Sequence, residues 1–176
     1  SWRVKNVAGA IALAHKVKEP LHVLGGDRFN FKRGIRLTWS PRIRFHGMVG
    51  GSVKTDLLNG SKGLVFPVRW HEPFGLAVIE SMYFGAPIFS TPYGALPELV
   101  PDWAGCLSNQ ADVLAQAMQQ YQQFDSQRIH QHVVENFNAQ KMAQAYLCKY
   151  QQVIDGKKLN AQSPCAKIPF DKLDWL

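Results

Sequence analysis

Apolar positions recur at helical spacing over residues 6–19, "NVAGAIALAHKVKE", where Val7, Ala10, Ile11, Ala14 and Val17 share a face. Pro20 stops that helix. "LHVLGG" then reads as a short strand ending in glycines, and "FKRGIRLTW" as a weak helix stopped at Pro41. "RIRFHG" is the next strand, "SVKTDLLNG" a helix with a glycine stop, and "GLVFP" a third strand. "GLAVIESMYFG" is a helix, "PIFST" a fourth strand and "GCL" a fifth. Strands alternating with helices through short glycine-rich turns predict an α/β fold, with a parallel sheet and helices on both faces.

From Asn109 the pattern changes to helices alone. "ADVLAQAMQQYQQF" and "NAQKMAQAYLCKYQQVI" are amphipathic, and their Gln-rich outer faces read as solvated surface. The tail "GKKLNAQSPCAKIPFDKLDWL" has little periodicity and reads as an extended segment pinned by Phe170 and Trp175. The expected division is an α/β core over residues 1–108, helices of the same domain over 109–155, and a tail over 156–176. No internal repeat is evident.

Composition narrows the classes. The 176 residues are 46% hydrophobic and 19% charged, a globular balance long enough for one domain with a real core. No apolar run approaches a membrane span, and the opening "SWRVKN" lacks the apolar region of a signal peptide. Cys106, Cys148 and Cys165 are widely spaced and odd in number, which fits reduced thiols in a cytoplasmic protein. The sequon at Asn59 then carries no meaning. The net charge of +7 comes from residues spread along the chain, densest from Arg28 to Arg44 and without a long run. That pattern reads as a solvated basic surface, so no nucleic-acid partner is expected.

The chemistry concentrates in "GLVFPVRWHEPFGLAVIES", which reads as strand, loop and a helix starting near Phe74 or Gly75. In an open parallel sheet, ligands bind beyond the carboxyl ends of the strands, where loops enter helices. A helix N-terminus offers free N–H groups and partial positive charge, which suits a phosphate, and Gly75 lets a ligand approach the backbone. Glu72 precedes that helix and Glu80 lies inside it, roughly 6–8 Å further along the axis. Paired carboxylate oxygens accept hydrogen bonds from vicinal hydroxyls. The residues thus suggest a sugar–phosphate site, with small Ala77 and Ser81 beside Glu80 and with Leu76, Ile79 and Tyr83 facing the core. The plainer reading of the same residues is a capping Glu72 and an exposed Glu80.

"KNVAGAIALAHKVKEPLHVLGG", "RIRFHGMVGGSVKTDLL", "GLVFPVRWHEPFGLAVIESMYFGAPIFSTPYGALPELV" and "AGCL" resemble, in order, the C-terminal donor-binding half of a GT-B glycosyltransferase. The similar group is the large retaining family 4, "glycosyl transferases group 1", whose Glu-x7-Glu hallmark corresponds to Glu72 and Glu80. The resemblance implies a Rossmann-like parallel sheet with a helical C-terminal extension. It implies that Glu72 contacts donor-sugar hydroxyls and that the N–H groups of Phe74, Gly75 and Leu76 meet the sugar and distal phosphate. Glu80 would bind the ribose, and Lys5 would neutralise the diphosphate. Met48 and Val49 would sit by the base with Lys54 near them, and the Gly94 loop would correspond to "GG-x-P-E", ending at Glu98.

Read alone, Lys5 is an ordinary first-turn residue, Lys54 a surface helix charge and His71 a local packing residue. No Asp-x-Asp is present, so neither a metal nor another cofactor is expected. The family's pattern also places a strand ending in Gly-Arg just upstream of Ser1, and an acceptor-binding N-terminal domain with a catalytic histidine. Neither lies in this sequence, and Ala95 stands where glycine or serine is usual.

The resulting expectation is the donor-binding domain of a retaining, metal-independent, bacterial-type hexosyltransferase, inactive as this fragment alone. Its partners would be a UDP-, GDP- or ADP-sugar, its own N-terminal domain and a sugar or lipid-linked acceptor. It would work in the cytoplasm or at the inner face of a membrane. The alternatives are a non-catalytic GT-B-like interaction module and another GT-B chemistry such as sugar-nucleotide epimerisation.

Overall fold

Apolar runs and glycine or proline stops become parallel strands and helices in the expected order. The computed structural model describes residues 2–25, 40–163, 165 and 173. The weak helix expected over 31–39, and Phe170 and Trp175 of the tail, lie outside them. A single turn, α1 (Trp2–Lys5), leads into α2 (Val7–Val17), followed by strands β1 (Leu21–Val23) and β2 (Ile43–Phe45). Then come α3 (Gly51–Asn59), β3 (Leu64–Phe66), α4 (Leu76–Tyr83), β4 (Ile88–Ser90), α5 (Leu96–Leu99) and β5 (Gly105–Leu107). Helices α6 (Ala111–Gln119), α7 (Ser126–Asn136) and α8 (Ala139–Ile154) complete the chain.

Every strand pair among the described residues is parallel. β1 pairs with β2 in the register Leu21↔Ile43, and β4 lies between β3 and β5 with Ile88 opposite Leu64 and Gly105. Successive β4 residues feed opposite layers, because strand side chains alternate in direction. Ile88 joins Val78, Met82, Leu96, Ile129 and Val133 on one side, and Phe89 joins Leu13, Leu114 and Ala115 on the other. Helices α4 and α7 therefore cover one face, while α2 and α6 cover the other. This three-layer arrangement buries β4 completely, as a central parallel strand requires. Met82 is fully buried between α4 and α7, so Met82→Ala is expected to cost about 2–5 kcal/mol in urea unfolding.

The expected single sheet is in two parts among the described strands, β1–β2 and β3–β4–β5. Leu21 and Val23 bond toward β2, so the main-chain groups of His22 and Leu24 point the other way. They face a slot of about 460 Å³ lined by Leu21, His22, Leu64, Val65 and Phe89.

Three features depart from the sequence reading. Helix α7 was unpredicted: Asp125 caps it by accepting from the N–H groups of Gln127 and Arg128, and only Ile129 and Val133 are buried. Helix α4 buries Val78, Ser81 and Met82; Ile79 packs against the core as expected, while Leu76 and Tyr83 stay exposed. Helix α8 buries no residue, and Met142, Tyr146 and Tyr150 are open to solvent.

Candidate functional site

The loop from Pro67 to Gly75 leaves β3 at its carboxyl end and is tied down on three sides. The Thr91 hydroxyl donates to the Val68 carbonyl at 2.6 Å, and the Ser90 hydroxyl donates to that of Phe66. The Arg69 N–H donates to the Val4 carbonyl at 2.7 Å, which brings α1 against the loop. Glu72 forms an isolated parallel bridge with Gly94, and its carbonyl accepts from the Ala95 N–H at 2.8 Å.

Glu72 is buried, and its Oε2 accepts from the Lys5 ammonium at 2.9 Å and from the Trp70 indole N–H at 3.1 Å. The Lys5 nitrogen also stands 4.8 Å from the centre of the Phe66 ring and 4.9 Å from that of Trp70. A buried carboxylate needs such compensation, since an unpaired charge out of water is costly.

Gly75 begins α4 at φ +101°, a left-handed conformation that a side chain disfavours. No side chain caps this end; the Val78 N–H donates to the Gly75 carbonyl at 2.9 Å, which leaves those of Leu76 and Ala77 for a ligand. Phe74 is half-exposed and lies edge-on to Phe137, while Leu76 is exposed. About one turn into α4, Glu80 Oε1 accepts from the Lys54 ammonium of α3 at 2.7 Å.

A cavity of about 580 Å³ runs between β1 and β3, walled by Leu21–Leu24 and Leu64–Phe66, and reaches Lys5, Met48, Val49, Lys54, Ala77 and Glu80. The structure thus gathers Lys5, Met48, Val49, Lys54 and Glu80 into one space. Glu72, Phe74, Gly75, Leu76 and Gly94 do not line it. Glu72 meets the cavity through Lys5, and Gly94 backs Glu72 from behind.

Trp70 and the two Lys–Glu pairs went unremarked in the sequence. The signal for Trp70 was its position two residues before Glu72 in the same loop. His71 points elsewhere, edge-on to Tyr93 with Nε2 sealed from solvent and without a partner among the described residues. On the far cavity wall, the His22 and His46 rings stack with nitrogens 3.1 Å apart. The His22 imidazole is pushed below its ordinary value, by burial first and then by His46 and Arg44. Among the described residues, no three His, Cys, Asp or Glu side chains gather into a metal-holding group, and no helix is long and apolar enough to cross a membrane.

Comparison with known proteins follows this geometry. The family model "Glycosyl transferases group 1" matches residues 2–123. A sucrose-phosphate synthase from Thermosynechococcus elongatus superposes with TM-score 0.69 at 22% identity, covering 88% of this chain and 44% of that one. A glycosyltransferase involved in avilamycin A biosynthesis superposes with TM-score 0.68 at 20% identity, covering 87% and 48%. A glycosyltransferase from Rickettsia africae gives 0.65 at 16% identity, covering 89% and 46%. The chain therefore spans about half the length of the solved structures it matches. No curated protein sequence matches it. The solved structures carry the fold, the Rossmann-like C-terminal half of GT-B. The family model covers well over half of the chain, and the chain belongs to the glycosyl transferases group 1 family.

Proposed function

We propose that this chain is the donor-binding half of a retaining, metal-independent glycosyltransferase that transfers a hexosyl group from a nucleoside-diphosphate sugar to an acceptor hydroxyl. The observation that supports this reading best is the single cavity joining Lys5 to Glu80 beside the uncapped N-terminus of α4. A diphosphate at Lys5 and the first-turn N–H groups leaves the ribose hydroxyls for Glu80. The base falls toward Met48 and Val49, and the sugar toward Glu72.

In the transfer, the bond between the anomeric carbon and the diphosphate oxygen breaks. The acceptor oxygen bonds to that carbon, and the acceptor's proton leaves with the products. Charge grows on the departing diphosphate, where fixed N–H dipoles and the Lys5 ammonium stabilise it. Lys54 adds a second cation at the nucleoside end. The acceptor, a sugar or a lipid-linked sugar, is read by an N-terminal domain outside this sequence, and the enzyme works in the cytoplasm or at the inner face of a membrane. The strand expected upstream of Ser1 fills the space between β1 and β3, including that part of the cavity, and leaves the end at Lys5, Lys54 and Glu80 to the donor; it completes one sheet of the core over residues 1–108, with the later helices packed on it.

Thermal-shift measurement with UDP, GDP, ADP and their sugar conjugates tests this on a chain extended upstream through that strand. One nucleotide family is expected to raise Tm, and no shift from any of them would overturn the reading. Glu80→Gln is expected to weaken binding of the effective nucleotide about ten-fold or more, because hydrogen bonds to a charged acceptor exceed those to a neutral one. The side chain is half-exposed, so the unliganded Tm should barely move.

A further inference from the structure

We infer that Trp70 is a positioning residue, whose indole N–H fixes the Glu72 carboxylate so that one oxygen faces a bound sugar hydroxyl. The inference rests on the reading of Glu72 as a donor-sugar contact. Lys5 Nζ and Trp70 Nε1 converge on the same atom, Oε2, at 2.9 and 3.1 Å. A carboxylate oxygen has about two acceptor directions, so Oε2 is saturated while Oε1 takes no hydrogen bond among the described residues. Two donors on one oxygen also fix the carboxylate plane, which is otherwise a soft, two-fold torsion in glutamate.

Trp70 suits this task better than a second cation would. Its ring packs against the buried core cluster, so the N–H is held rigidly in place. The same ring lies 4.9 Å from the Lys5 ammonium, which is also 4.8 Å from the Phe66 ring. When a diphosphate draws Lys5 toward itself, the uncharged indole has no reason to follow. Trp70 then remains the anchor of Oε2, and its importance grows once nucleotide is bound.

The test is titration calorimetry and steady-state kinetics on the full-length protein. The probes are UDP, GDP and ADP, and UDP-glucose, GDP-mannose and ADP-glucose. One variant is Trp70→Phe; a second carries a benzothienyl analogue at position 70, which keeps the bicyclic ring and lacks only the N–H. Both variants are expected to bind the free nucleotide as wild type does and to lose about ten-fold in sugar-nucleotide affinity or kcat. Tm should stay close to wild type for the benzothienyl form. A loss confined to Trp70→Phe assigns the residue to packing and overturns the inference. Wild-type behaviour in both variants overturns it as well, with the donor-site reading intact. A wild type that binds none of the six probes removes that reading, and the inference with it.

Discussion

Lys5→Ala in the full-length protein is expected to reduce turnover by about 10²–10³-fold, the effect of removing one preorganised donor to a developing oxyanion. The Lys5 side chain is 41% exposed and lines the cavity, while its partner Glu72 is 9% exposed. The substitution therefore acts twice. It removes the charge that meets the departing diphosphate, and it leaves a buried carboxylate with only Trp70 to hold it. Charge on the diphosphate is greater in the transition state than in the bound donor, so kcat should fall further than nucleotide affinity. Lys5→Arg keeps the charge, but its larger planar fork does not reproduce the compact ammonium beside the Phe66 and Trp70 rings, and partial activity is expected. Unchanged kinetics in Lys5→Ala would remove the residue from the mechanism.

Gly94→Ala is expected to cost about 2–4 kcal/mol of stability and to abolish donor binding. Gly94 has φ +70°, and a Cβ there would stand 2.3 Å from the Glu72 carbonyl oxygen and 2.4 Å from its nitrogen. Both contacts are with backbone, so the Gly94 loop and the Glu72 loop must separate. The bridge between them and the Ala95-to-Glu72 hydrogen bond would be lost, and with them the placement of the carboxylate. For a domain of this size the penalty corresponds to a Tm fall of roughly 5–15 °C. Gly50 provides the control, since a Cβ there meets nothing within 4 Å. Calorimetric melting of the two variants separates a specific clash from a general cost of replacing glycine.

Much of the fold was legible because its signals are local. Pro20 ends α2, glycine follows α3, and the short apolar runs become β1 to β5. Helix α7 was not legible, because Ile129 and Val133 are too few to stand out among Gln, His and Glu. The inward side of α4 was misjudged for the opposite reason. "LAVIESMY" is apolar nearly all round, so periodicity does not choose a face. The turn at Gly75 sets the phase and sends Val78 and Met82 inward.

The candidate site divides in the same way. Glu72, Gly75 and Glu80 lie within nine consecutive residues and carry a recognisable pattern. The Lys5–Glu72 pair joins residues 67 apart, and the Lys54–Glu80 pair residues 26 apart. No local signal records contacts of that range; they exist only once α1 and α3 pack beside the loop and α4.

The central claim is that the cavity between Lys5 and Glu80 holds a nucleoside diphosphate. A crystal structure of the full-length protein with the nucleotide that raises its Tm most tests this directly. The account predicts phosphate oxygens within hydrogen-bond distance of Lys5 Nζ and the α4 N-terminal N–H groups, and ribose hydroxyls on the Glu80 carboxylate. A nucleotide bound elsewhere, or bound here with its ribose turned away from Glu80, would contradict it.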